Sequence, residues 1–147
     1  MLVFVRKPLN PPITVIPPVN DTVVEVTTWD WESAVEKGTR PAVVMFYSPD
    51  CPHCRAMEPY FRKFAERYGE AILFARLNIE ENVWIAERYG VLGVPTFKFF
   101  CSGRPFEELV GEVYPAMIEK RIEDLLEHGE ECVRSSTAID YEITGYA

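Results

Sequence analysis

SPDCPHCRAMEP, residues 48–59, follows the unbroken apolar run Ala42-Val43-Val44-Met45-Phe46-Tyr47. An apolar run without alternation is what a strand shows when both of its faces are covered. Beyond it the period changes. Met57, Tyr60, Phe61, Phe64 and Tyr68 fall on one stripe at helical spacing, which predicts a helix from about Pro52 to Tyr68 with that stripe buried. Pro52 suits the first turn, where its missing N–H costs nothing. Pro59 lies inside the helix and is expected to kink it.

Cys51 thus stands where a buried strand gives way to a helix. Unpaired N–H groups and the positive end of the helix dipole point there. Both favour a thiolate, so Cys51 is expected to titrate below the free value of about 8.5. His53 can add positive charge, while the neighbouring Asp50 carboxylate opposes it. Cys54 lies one turn further in and is expected to be shielded. Cys51 then attacks a disulfide and Cys54 resolves the mixed disulfide. A C-x-x-C pair also serves in zinc sites, but a structural zinc needs four ligands. Cys101, Cys132, His53 and His128 form no second C-x-x-C or spaced His pair, so no metal and no cofactor is expected. Two inert core cysteines would leave the Pro-His insert at a helix start unexplained.

Outward from this stretch, the chain reads as alternating elements. Thr22–Thr27 has a strand pattern, and Thr27 or Thr28 can cap a helix over about Asp30–Lys37 that Gly38 stops. Ala71–Leu77 reads as a buried strand, and Asn82 is placed to cap a short helix through Tyr89. Thr96–Phe100 is a strand with Lys98 facing outward. Ser102-Gly103 is a turn, and Phe106–Val110 is a further strand. Pro115 opens a last helix to about His128, with Ile118, Ile122, Leu125 and Leu126 inward. The order β-α-β-α-β-α-β-β-α implies an α/β fold, a mixed central sheet with helices on both sides. Residues 1–21 carry Pro8, Pro11, Pro12, Pro17 and Pro18 and read as an extended arm. The domain spans 22–128, and 129–147 is a tail.

The 147 residues suit one such domain, and a net charge of −8 without a basic cluster argues against nucleic-acid binding. No apolar stretch is long enough to span a membrane, and Leu2–Val5 is too short for a secretory signal. A cytoplasmic monomer is the expectation.

Gly93-Val94-Pro95-Thr96 opens the Phe-rich strand, a place compatible with a cis peptide bond. Taken together, these marks resemble the thioredoxin family. Cys51-Pro52-His53-Cys54 resembles its active-site motif, and Pro95 follows Cys51 by 44 residues, as the family's cis-proline does. Pro59, Arg76-Leu77-Asn78-Ile79-Glu80, Tyr89-Gly90-Val91-Leu92-Gly93-Val94-Pro95-Thr96 and Gly111 also match, and the likeness covers about residues 22–128. The resemblance implies a thioredoxin fold and thiol–disulfide exchange with protein substrates. It implies that Val94 and Pro95 flank the cysteines and that the Val94 backbone pairs with an extended substrate peptide. A thioredoxin reductase or a small thiol would supply electrons.

Three positions depart from the pattern. The tryptophan before the first cysteine is Asp50. The Gly-Pro dipeptide is Pro52-His53, which resembles the bacterial oxidase DsbA. The buried acid six residues before the first cysteine, held to take the second cysteine's proton, is Met45. Arg76 occupies the place of the lysine that pairs with that acid; its charge lowers the thiol pKa values, or it is a surface arginine snorkelling from a strand end. A His between the cysteines favours the reduced form and makes the disulfide a stronger oxidant.

Cys101 is read as an exposed turn residue. Cys101 and Cys132 are free thiols, or bond to each other with about 3.5 kcal/mol of chain-entropy stabilisation, or link two chains. Trp29, Trp31 and Trp84 read as core or rim packing. The leading reading is a disulfide oxidoreductase working through Cys51 and Cys54. An oxidase or isomerase, a metal carrier, and a thioredoxin-fold binding or chaperone module with vestigial thiols are its rivals.

Overall fold

The structure, a computed structural model, describes residues 22–128; the arm 1–21 and the tail 129–147, with Cys132, lie outside the described residues. The elements are β1 (Val23–Glu25), a single π-helical turn (Glu32–Glu36), β2 (Ala42–Tyr47), α1 (Pro52–Tyr68), β3 (Leu73–Asn78), α2 (Val83–Arg88), β4 (Thr96–Cys101), β5 (Arg104–Val110) and α3 (Pro115–Glu127). The sheet order is β1-β3-β2-β4-β5. The β1, β3 and β2 strands run parallel, and β4 and β5 run antiparallel to their neighbours. This is the mixed sheet that the element order implies.

The apolar run of β2 is explained by two cores. Val43 and Met45 face one side, with Met57, Phe61 and Phe64 of α1 and Ile118, Ile122 and Leu125 of α3. Ala42, Val44 and Phe46 face the other, with Trp31, Val35, Ile85 and Phe100. Phe61 meets Phe74 edge-on at 5.4 Å, and Trp31 meets Phe100 in the same way at 5.5 Å, offset ring geometries that add to simple area burial.

Several expectations need correction. The first helical segment is a π turn, Lys37 N–H donating to Glu32 O, and Asp30, in the turn just before it, takes the Thr27 N–H at 2.6 Å. Asn82 stands at the start of α2 without capping it. Its side-chain oxygen is taken by Thr28 N–H and Oγ1, and its amide donates to Asn78 O. Lys98 is buried rather than outward, because Glu108 on the paired strand β5 holds its ammonium at 2.5 Å. Cys101 ends β4 and is buried and disulfide-bonded rather than exposed. Tyr60, Leu126, Trp29 and Trp84 are exposed; of the three tryptophans only Trp31 is core. Period alone places a residue on a face, whereas the width of that face is fixed by what packs on it.

The β4–β5 hairpin turns through two residues, Ser102 and Gly103, both at positive φ, as tight hairpins require. The turn lies against the π segment: a Cβ on Gly103 would stand 2.2 Å from Glu36 O.

Candidate functional site

Cys51 is the residue before α1 and has extended backbone dihedrals. Its Sγ accepts the Cys54 N–H at 3.1 Å, so sulfur does the capping work that a hydroxyl or carboxylate usually does. That N–H is one of the helix's orphan donors, and the macrodipole adds to its pull on negative charge. Pro52 occupies the first turn and withdraws no needed donor. The Cys51 thiol can donate to Val94 O, 3.8 Å away. Cys51 and Cys54 are both free thiols.

Cys54 is sealed beneath, 3% exposed against 9% for Cys51. Burial, then its hydrogen bond with Cys51, pushes the Cys54 thiol up to about 12. The two sulfurs therefore differ in kind: one caps a helix end and keeps a little exposure, the other is sealed and held protonated.

The Val94–Pro95 peptide bond is cis, Pro95 is buried, and Gly111 N–H donates to Pro95 O at 2.7 Å. These contacts put Val94, Pro95 and the β5 end beside the cysteine pair. His53 is exposed, and its Nδ1 lies 2.6 Å from Glu112 Oε1 in the loop after β5. His53, Met57, Tyr60, Val94, Glu112 and Tyr114 line a surface groove of about 820 Å³.

Met45 lies under the pair, buried and apolar. Beside it, Arg76 is neither bare nor merely snorkelling. It bonds Glu25 at 2.7 Å and Glu58, donates to Tyr47 OH at 3.2 Å, and stacks 4.2 Å over the Tyr47 ring. Glu58 also takes Arg62 at 3.0 Å. A cavity of about 280 Å³ is shared by Met45, Cys54, Arg55, Glu58 and Arg76. The charged groups missing at position 45 thus stand around it, supplied by α1, β1 and β3. Glu58 was legible as Cys54's helical neighbour four residues on. Glu25, on β1, and Glu112, in the loop after β5, lie far away in the chain and carry no local signal.

Among the described residues, no cluster of three or more His, Cys, Asp or Glu could hold a metal, and no helix is long and apolar enough to cross a membrane.

Residues 22–124 match the family model described as Thioredoxin. A thioredoxin from Alicyclobacillus acidocaldarius is 30% identical over 102 residues, 69% of this chain and 96% of its own length. A chloroplastic M-type thioredoxin from Brassica napus is 32% identical over 114 residues, 78% of this chain and 60% of its own. Protein disulfide isomerase-like 2-1 from Oryza sativa is 38% identical over 87 residues, 58% of this chain and 24% of its own.

Proposed function

The chain belongs to the thioredoxin family and is a thiol–disulfide oxidoreductase, and from that premise we propose that it exchanges disulfides with protein substrates through Cys51 and Cys54. In the reducing direction, the Cys51 thiolate attacks one sulfur of a substrate disulfide. A Cys51–substrate disulfide forms, and the first substrate thiolate leaves and is protonated by solvent. Cys54 then gives up its proton and attacks Cys51 Sγ. The second substrate thiolate leaves, and the protein holds a Cys51–Cys54 disulfide; two electrons have passed to the substrate. A reductase or a small thiol returns them.

The observation that carries this reading is the Cys54 N–H aimed at Cys51 Sγ, with Cys54 buried below. The Val94 backbone presents an extended substrate segment to Cys51. His53 stabilises the reduced pair and makes the disulfide more oxidising, in keeping with the DsbA-like dipeptide. With Met45 unable to take a proton, Cys54's proton leaves through the cavity bordered by Arg55, Glu58 and Arg76.

Insulin reduction, followed as turbidity, tests the reading. The parent protein is expected to be active and Cys51→Ser inactive, while Cys54→Ser accumulates a mixed disulfide. A parent no faster than Cys51→Ser would leave the binding-module reading in its place. The equilibrium of the pair with glutathione then decides between reductase and oxidase or isomerase.

A further inference from the structure

Trp29 and Trp84 are 93% and 80% exposed. Two bare indoles are costly to hold in water, since each offers on the order of 200 Å² of mostly apolar surface. They are not scattered. They wall one surface groove of about 940 Å³, rimmed by Glu32, Glu36, Glu81 and Glu87. Arg88 is the only cation among its lining residues, and Glu36 engages it at 2.7 Å. Glu81 and Glu87 have no ion pair among the described residues.

The floor is fixed in advance. Buried Asn82 ties Thr28, the residue before Trp29, to Asn78 at the end of β3. The groove also opens at the redox end of the sheet. Tyr47 pairs with Asn78 in register, and Ser48 Oγ, in the loop leading to Cys51, donates to Glu80 at 2.6 Å. It lies apart from the groove that contains His53 and Val94.

Aromatic walls under an acidic rim match one chemistry. A Lys or Arg side chain can lie on an indole face while its charge meets a carboxylate. Phosphate-bearing ligands are repelled by the same rim. We propose that this groove docks an extended, Lys/Arg-bearing segment of the redox partner protein, holding the partner while its disulfide meets Cys51. The proposal rests on the disulfide-exchange reading only for the partner's identity.

Two disulfide-looped peptides test it, identical except that one carries Arg-Lys-Arg and the other Glu-Asp-Glu ahead of the loop, each made at several spacings. The reduced full-length protein is expected to show a KM for the basic peptide about tenfold lower at the best spacing. Trp29→Ala/Trp84→Ala, which alters no charge, should raise that KM about tenfold and leave kcat in place. A preference that survives in this double variant overturns the proposal, because the overall charge of −8 then explains it. Equal KM values for the two peptides overturn it too. So does tryptophan emission that shifts with protein concentration alone, which assigns the groove to a second copy. If neither peptide is reduced, the disulfide-exchange reading fails instead. The linear basic peptide, titrated against tryptophan emission of the parent and the double variant, then decides the groove by itself: saturable binding lost in the variant supports it, and no binding refutes it.

Discussion

Replacing Cys51 by Ser leaves Cys54 as the only thiol of the pair and isolates its acidity. The substitution keeps the helix start intact, since a serine hydroxyl accepts the Cys54 N–H as the sulfur does. Burial is the largest cause of the shift that lifts Cys54 from 9.0 to about 12, and it persists in the variant; the smaller contribution from Cys51 is lost. At pH 7 a thiol titrating at 9.0 is about 1% ionised, and one at about 12 roughly a thousandfold less. Alkylation by iodoacetamide reports this, because only the thiolate reacts. Quenched samples read by mass spectrometry should show Cys54 reacting far more slowly at pH 7 than an ordinary thiol, by up to the roughly thousandfold that the full rise to about 12 implies, less the part that Cys51 contributed. The rate should climb about tenfold per pH unit through pH 10. Steric shielding lowers the rate at every pH alike, so the pH at which the rate levels off isolates the acidity. A plateau at or below pH 9, or a neutral-pH rate within tenfold of free glutathione, would refute the reasoning.

The same shift has a consequence for stability: the reduced folded protein keeps Cys54 protonated where the unfolded chain ionises it, so stability is full below pH 9 and falls as pH rises toward about 12; urea midpoints of the reduced protein should decline above pH 9, and Cys54→Ser should flatten that decline. His53→Gly is expected to move the reduction potential of the pair negative by roughly 30 mV, a tenfold change in the glutathione equilibrium, with no change marking His53 as a bystander. Phe61→Ala empties a site packed against Phe74 and Phe97 and should cost about 3–5 kcal/mol in denaturant unfolding. Gly103→Ala sets a methyl group against Glu36 O at positive φ and should cost more than about 1 kcal/mol by the same assay, though the residue touches nothing in the redox site.

Position along the chain was enough for the redox pair. A continuous apolar strand followed by C-P-H-C and a helical stripe places one sulfur on a helix end and the other a turn below, because strand and helix periods are local properties. The element order and the parallel-then-antiparallel sheet followed from the same periods, and α1 begins and ends at Pro52 and Tyr68 as they imply. What the sequence could not carry is any feature made by residues far apart in it. Lys98 reads as outward until Glu108 on the neighbouring strand takes its charge into the interior. Asn82 reads as a cap until Thr28, from the other end of the domain, claims its side chain. Met45 reads as a lost acid until Glu25, Glu58 and Arg76 are seen to converge beside it. The tryptophans read as core or rim from their helical positions; only packing showed that Trp31 is enclosed and that Trp29 and Trp84 are left outside together. Local periodicity determines which elements form, while charge pairing and burial depend on distances across the sheet that only the folded chain defines.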